Sequence, residues 1–313
     1  MSPDSAARGT PPPGRERDPG DAWVEAPGGE RYWGRYGAAG VLAVDPSRGV
    51  LLQHRAEWSH HGGTWGIPGG ALHQGETAED GALREALEEA GVPRSAVRTR
   101  AVWRVDRQVW AYTTLMVDVV KPFDAVAGDA ESLELLWVAA EQVDALPLHP
   151  AFARAWPSLR HSIRVRPRLV VDAANVVGSV PDGWWRDRRG AAERLMQRLE
   201  DLGHGGVGAA ALGLDGLRWH PGIDLVVEGE ARGLDAQEHV SVIDAPGSGD
   251  DSIVARVREL AAGGVSPVVV TSDAELRSRA QQEGASVHGA RWLLDLLDAL
   301  DSATAGGAAR DPR

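Results

Sequence analysis

The sequence predicts two domains: an α+β domain with a mixed sheet flanked by helices, followed by a doubly wound α/β domain. Three observations carry this. A chain of 313 residues exceeds the roughly 100–200 residues of an ordinary domain. From residue 29 to 160 strand-like and helix-like segments follow one another without regular alternation, the pattern of α+β folds. From residue 169 to 302 apolar strand segments alternate with helical ones, as in a parallel doubly wound sheet.

The elements follow in order. Residues 1–28 are rich in Pro, Gly and charge without periodicity and are expected to be a disordered tail. Residues 37–45 and 49–55 read as strands around an Asp-Pro-Ser turn, and residues 62–70 (GGTWGIPGG) as a strand running into a glycine loop. Residues 77–90 read as a helix with Thr77 as N-cap, Asp80 as its box partner and Gly91 as terminator. Segments 97–104, 109–120 and 134–139 have strand composition, and 150–159 that of a short helix. Residues 161–168 are expected to be a linker. Beyond it, strands at 169–172, 223–227, 240–244, 267–271 and 286–288 alternate with helices at 187–202, 251–262, 274–283 and 292–300, and 303–313 is expected to be a flexible tail.

Composition excludes several function classes. No stretch approaches the roughly 18 apolar residues of a membrane span, and the start lacks the apolar core of a secretory signal. With Cys 0, disulfides, thiolate metal sites and cysteine nucleophiles are excluded; the expectation is a cytoplasmic protein. The net charge of -12, shared equally by the two halves, argues against unspecific coating of nucleic acid.

The most informative segment is GALHQGETAEDGALREALEEAGV, residues 70–92. On a helix Glu85, Glu88 and Glu89 share one face, while Leu83, Ala86, Leu87 and Ala90 are expected to anchor the other. Three clustered carboxylates suit a hard cation shared with substrate phosphates. A solvated acidic face is the alternative. The order Gly70, five residues, Glu76, seven residues, Arg84-Glu85, two residues, Glu88-Glu89, one residue, Gly91-Val92 resembles the Nudix box, and the chain from about 31 to 160 resembles a Nudix hydrolase. The resemblance implies hydrolysis of a pyrophosphate bond in a nucleoside diphosphate-linked small molecule, NTP-like by default, with Mg²⁺ or Mn²⁺. It implies Glu85, Glu88, Glu89 and the Gly70 carbonyl as metal ligands, the Arg84–Glu76 pair as orienting residues, and Arg55 as a phosphate contact. Asp129, Glu131 and Glu134 are further candidates for the general base. Trp58, Trp65, Trp103 and Trp110 are candidates for base stacking, Trp65 foremost, with plain packing as the alternative. His60-His61 is read as loop, because adjacent residues point different ways.

In the second half, LVVDAANVVGS, GDDSIV and VVVTSDAELRSRAQQEGASV place acidic residues at strand ends and at a helix start. In a doubly wound sheet these converge on the edge where ligands bind. Helix capping is the alternative duty of each Asp. The segments are similar to a PIN-like nuclease domain of the NYN/YacP type. That resemblance implies a nuclease site of Asp172, Asn175, Asp251 and Asp273, with RNA as a partner. Glu228 and Glu230 stand where an Asp is more usual. Two other readings are an RNA-processing protein acting on 5′ phosphates, and a nucleotide or RNA sensor with one or both sites inactive.

Overall fold

The computed structural model describes residues 18–128 and 130–308. The chain divides into two compact units, residues 1–163 with 215–218, and residues 164–214 with 219–313.

The first unit opens with a hairpin, β1 (Trp23–Glu25) and β2 (Arg31–Trp33), paired antiparallel. The expected disordered tail therefore does not extend to residue 28: the aromatic residues of both strands give that segment side chains to pack. The central strand is β3 (Ala38–Asp45), buried along its whole length. It pairs antiparallel with β4 (Gly49–Arg55) and β6 (Gly69–Ala71), and parallel with β8 (Ala111–Val119). β5 (Trp65–Gly66) and β9 (Ser132–Val138) pair with β4, and β7 (Val97–Asp106) with β8, so the sheet is mixed. The register sets Ala38 opposite both Ala71 and Tyr112, which brings the glycine loop and the start of β8 to the same end of β3.

Helix α1 (Ala78–Ala90) lies on one side of this sheet, in a core with Ala39, Val41, Leu51 and Leu115. Thr77 caps it, its hydroxyl accepting from the Asp80 N–H at 3.1 Å and donating to the Asp80 carboxylate at 2.7 Å. Gly91 ends it at φ 65°, a conformation that favours glycine. The face turned to the sheet is Ala82, Ala86 and Ala90 together with Glu85 and Glu89. Leu87, expected in the core, is 53% exposed; the small alanines let the helix lie close and carry two glutamates inward. Helix α2 (Pro150–Ser162) packs Phe152, Trp156 and Leu159 into a second cluster with Leu42, Leu52 and Trp65. It runs into what was expected to be linker.

The second unit is a five-stranded parallel sheet. Strands β10 (Pro167–Asp172), β11 (Gly222–Val227), β12 (Val240–Asp244), β13 (Ser266–Val270) and β14 (Ser286–His288) are ordered β12-β11-β10-β13-β14. Helices α3 (Ala173–Gly178), α4 (Arg188–Gly205) and α7 (Ala290–Ala308) share a core with Leu169 and Val171. Helices α5 (Gly249–Ala262) and α6 (Ala274–Gln282) share another with the alternate residue Val170. Because neighbouring strand residues face opposite sides, helices cover both faces: the unit is doubly wound. Helix α7 extends past residue 303, into the expected flexible tail. No helix among the described residues is long and apolar enough to cross a membrane.

Candidate active site

The first site forms where α1 meets the β6 loop. Glu85 and Glu89 are 8% and 4% exposed, a costly place for carboxylates without compensation. Glu89 Oε2 accepts from the Gly69 N–H at 2.8 Å. Glu85 Oε1 accepts from Arg84 at 2.7 Å. The glycine pair permits this approach: a Cβ on Gly70 would stand 2.7 Å from the Glu85 carboxylate, and one on Gly69 would stand 2.4 Å from the Ala39 carbonyl oxygen. Arg84 also donates to Glu76 at 2.8 and 2.9 Å and to the Ala71 carbonyl at 3.0 Å, tying α1 to the loop before it. The Arg84 hydrogen bonds hold the Glu76 carboxyl below its usual range, and Glu76 in turn holds the guanidinium protonated. Glu88, 37% exposed at its side chain, lies 3.6 Å from Arg84.

These carboxylates do not draw together as tightly as two other groups: among the described residues, sets with all ligand atoms within 4.8 Å are His60, His61, His149 and Glu200, Glu238, His239. The donor chemistry nonetheless fits a hard divalent cation. Two buried carboxylates face a glycine backbone that a Cβ would close, and a third is open to solvent.

Tyr112, unmarked by the sequence, lies within electrostatic reach of this site. Burial pushes its phenol up, followed by the charge of Glu89, while Arg55 opposes the rise; the hydroxyl is a neutral donor at physiological pH. Arg55 ends β4, half-buried, its Nε donating to the His60 carbonyl at 3.2 Å. Trp65 is not open for stacking: it is 7% exposed, stacked on His54 at 4.7 Å and packed into the core. Open aromatic surface lies instead on the hairpin. Tyr32 stacks on Trp110 at 4.7 Å, and Trp23 and Trp33 meet edge to face, 39% and 40% exposed. Of the further base candidates, Asp129 lies outside the described residues, Glu134 is exposed opposite His54, and the Glu131 carbonyl accepts from the Ala56 N–H.

The family model described as NUDIX domain matches residues 34–161. A Mycobacterium tuberculosis protein named "Putative 8-oxo-dGTP diphosphatase 3" is 50% identical over 154 residues, which are 46% of this chain and 70% of that protein. The chain belongs to the Nudix family. A Bifidobacterium longum "Nucleoside triphosphate pyrophosphatase/Nudix hydrolase fusion protein" is 41% identical over 172 residues, 50% of this chain and 36% of that one. The crystal structure of the Nudix hydrolase RenU from M. smegmatis shows 46% identity, covers 45% of this chain and 94% of its own, and superposes with a TM-score of 0.42.

The Nudix match ends at residue 161, and the second unit carries a separate acidic cluster at the carboxyl ends of β10 and β13. Asp172, 9% exposed, accepts from the Thr271 hydroxyl at 2.9 Å and from the Asn175 N–H at 3.0 Å. The Asn175 amide oxygen accepts from the Ser272 N–H at 2.8 Å, and Asp273 caps α6 through the Leu276 N–H. Burial, then the charges of Asp250 and Glu228, raise the Asp172 carboxyl. Burial, then Asp273, raise Asp250. Asp251, the expected member, accepts from Arg279 at 2.6 Å with its side chain 76% exposed, and its charge adds to the rise of Asp250. Asp250 and Glu228, whose carboxylate accepts from the Gly249 N–H at 2.8 Å, both lie close enough for their charges to raise Asp172. The sequence WWRDRR, residues 184–189, also offers aromatic and basic side chains for single-stranded RNA, with a packing cluster as the alternative; Trp185 is 57% exposed, and Arg189 donates to Glu193 and to the carbonyls of Arg232 and Gly233.

Proposed function

We propose that the first unit hydrolyses the pyrophosphate bond of a nucleoside triphosphate, with an oxidised purine deoxynucleotide as the favoured substrate. The observation that carries this is the pair of buried carboxylates, Glu85 and Glu89, held against the Gly69-Gly70 backbone. The relative named for 8-oxo-dGTP supports the substrate class. Glu85, Glu88, Glu89 and the Gly70 carbonyl would hold Mg²⁺ or Mn²⁺, which when bound neutralises phosphate oxygens and acidifies an attacking water. Arg84 and Glu76 fix the angle of α1, and a carboxylate of that helix accepts the proton of the water. Arg55 binds a phosphate oxygen, Tyr112 donates to one, and the Tyr32–Trp110 surface receives the base. Purified protein with Mg²⁺ and a panel containing 8-oxo-dGTP, dGTP, ADP-ribose and 5′-triphosphorylated RNA tests the reading. Preferential turnover of 8-oxo-dGTP is expected. Preference for the RNA favours an RNA-processing role, and binding without turnover favours a sensor.

For the second unit, the hydrogen bonds that join Asp172 to Thr271 and Asn175 to Ser272 at the ends of β10 and β13, with Asp250 raising the Asp172 carboxyl, support a second reading. We propose a PIN-like, metal-assisted phosphodiesterase acting on RNA, with Asp172, Asn175, Asp250 and Asp273 at the site and Glu228 beside it. Mn²⁺-dependent cleavage of a single-stranded RNA, lost in Asp172→Asn and Asp250→Asn but kept in Asp251→Asn, is the expected result. Equal cleavage by all three variants removes the proposal.

A further inference from the structure

Three histidines from two distant segments converge outside the carboxylate site. His60 and His61 lie in the loop after β4, and His149 is the N-cap residue of α2. Their ligand nitrogens all lie within 4.8 Å of one another. Ring centroids are 4.1 Å apart for His60–His61, 4.8 Å for His61–His149 and 6.5 Å for His60–His149. In extended backbone adjacent side chains point apart. Here His61 adopts φ 55°, a left-handed conformation uncommon outside glycine, which turns its ring toward the same side as His60. The loop is fastened in that shape. Ser59 donates to the Ala56 carbonyl, Thr64 to the His61 carbonyl at 2.6 Å, and the Gly62 N–H to the Ser59 carbonyl. The partner segment is tied to the same short strand: the His149 N–H donates to the Trp65 carbonyl and the Trp65 N–H to the Pro147 carbonyl, each at 2.8 Å.

We propose that His60, His61 and His149 form a binding site for a borderline-soft divalent cation of the Zn²⁺ class, separate from the hard-cation site on α1. Imidazole suits Zn²⁺, Co²⁺ and Ni²⁺, whereas Mg²⁺ takes oxygen ligands, so the two sites select different ions. Three protein ligands leave a tetrahedral ion one further position for water or a donor atom of a substrate. Arg55 and Arg154 face His149 and oppose the cation, so removing the Arg55 charge should tighten binding. Occupancy also has a structural consequence. His149 Nδ1 accepts from the Ala151 N–H at 3.2 Å. An ion on Nδ1 replaces that bond, and an ion on Nε2 leaves the proton on Nδ1, so either way α2 loses its side-chain cap.

The test uses the full chain without an affinity tag, titrated with Co²⁺ in excess Mg²⁺ and followed by visible absorption and equilibrium dialysis. Expected is a Co²⁺ spectrum that Mg²⁺ does not displace, weakened about a hundredfold or more in His61→Ala and His149→Ala, since even losing an outer-sphere partner costs 10–100-fold. The spectrum persists in Glu85→Gln and Glu89→Gln, and hydrogen exchange at the Ala151 amide quickens on loading. His60→Ala, in the exposed loop, serves as the second variant should His149→Ala fail to fold. The proposal is overturned if no Mg²⁺-resistant Co²⁺ binds, or if binding survives His61→Ala and His60→Ala. It is equally overturned if the ion is lost in Glu89→Gln, or in His239→Ala, which would assign it to the Glu200, Glu238, His239 group.

Discussion

Glu89 has two tasks on one side chain, and they separate by substitution. One oxygen accepts from the Gly69 N–H and so holds the glycine loop; in the proposed reaction the charge would serve the cation. Glu89→Gln keeps an acceptor for Gly69 and removes the charge. The expected result is a fall in nucleotide hydrolysis of about 10²–10³-fold, the scale of losing one preorganised electrostatic group, with an unchanged circular dichroism spectrum. Glu89→Ala should lose activity and also loosen the loop, seen as faster amide exchange at Gly69. This site was legible because its residues lie on one helix, where spacing fixes geometry. Tyr112 was not, since a lone tyrosine on a strand carries no signal until the pairing of β8 with β3 sets it opposite Ala38. Asp250 and Asp251 were indistinguishable for a similar reason: only the fold shows that Arg279 on α6 pairs with Asp251, which is why Asp250 enters the proposed site. His60-His61 lies in a loop as expected, but the nearness of the two rings was not legible, because the φ of His61 is not written in its neighbours.

At the scale of elements, α1 was readable from cap to terminator. Its rotation was not, because alternative faces each offered aliphatic residues and only the close alanine packing decides between them. Two predictions concern this helix. Gly91→Ala places a Cβ at φ 65° and should destabilise the first unit by about 1 kcal/mol, measured by urea denaturation. Glu76 gives a pH dependence. Its folded pKa lies below the ordinary 4.5, first through the Arg84 hydrogen bonds. The unfolded chain therefore binds the proton more tightly, and the contribution of Glu76 is complete above 4.5 and lost as pH falls through the lowered folded value. Comparing wild type with Glu76→Gln, the stability difference should be largest near neutrality and shrink below pH 4.5. A constant difference would show that the Arg84–Glu76 contact owes nothing to ionisation.

For the whole molecule, the two-unit organisation was visible in the change from irregular order to strand–helix alternation. The strand order of the second sheet was not, because alternation implies parallel crossovers without saying which strands become neighbours. That order sets β10 beside β13 and produces the acidic edge, and the edge responds to pH with the opposite sign to Glu76. Asp172 and Asp250 have folded pKa values raised above the ordinary carboxylate value, first by burial and then by neighbouring acids. The folded state here binds the proton more tightly than the unfolded chain. These groups favour folding at low pH, and that advantage is lost as pH rises through the raised values. Asp250→Asn removes one of the repelling charges and should therefore stabilise the second unit at pH 7.5. The shift is about 2–4 °C for each kcal/mol of relief in a unit of this size, and it should be smaller at pH 4. Mn²⁺ should raise the melting temperature of the wild type and do little for the variant, because cation and substitution relieve the same repulsion. Amide exchange on β10 and β13 assigns the effect to this unit. If Asp250→Asn lowers stability at neutral pH, the acidic edge is a set of helix caps and not a strained binding site.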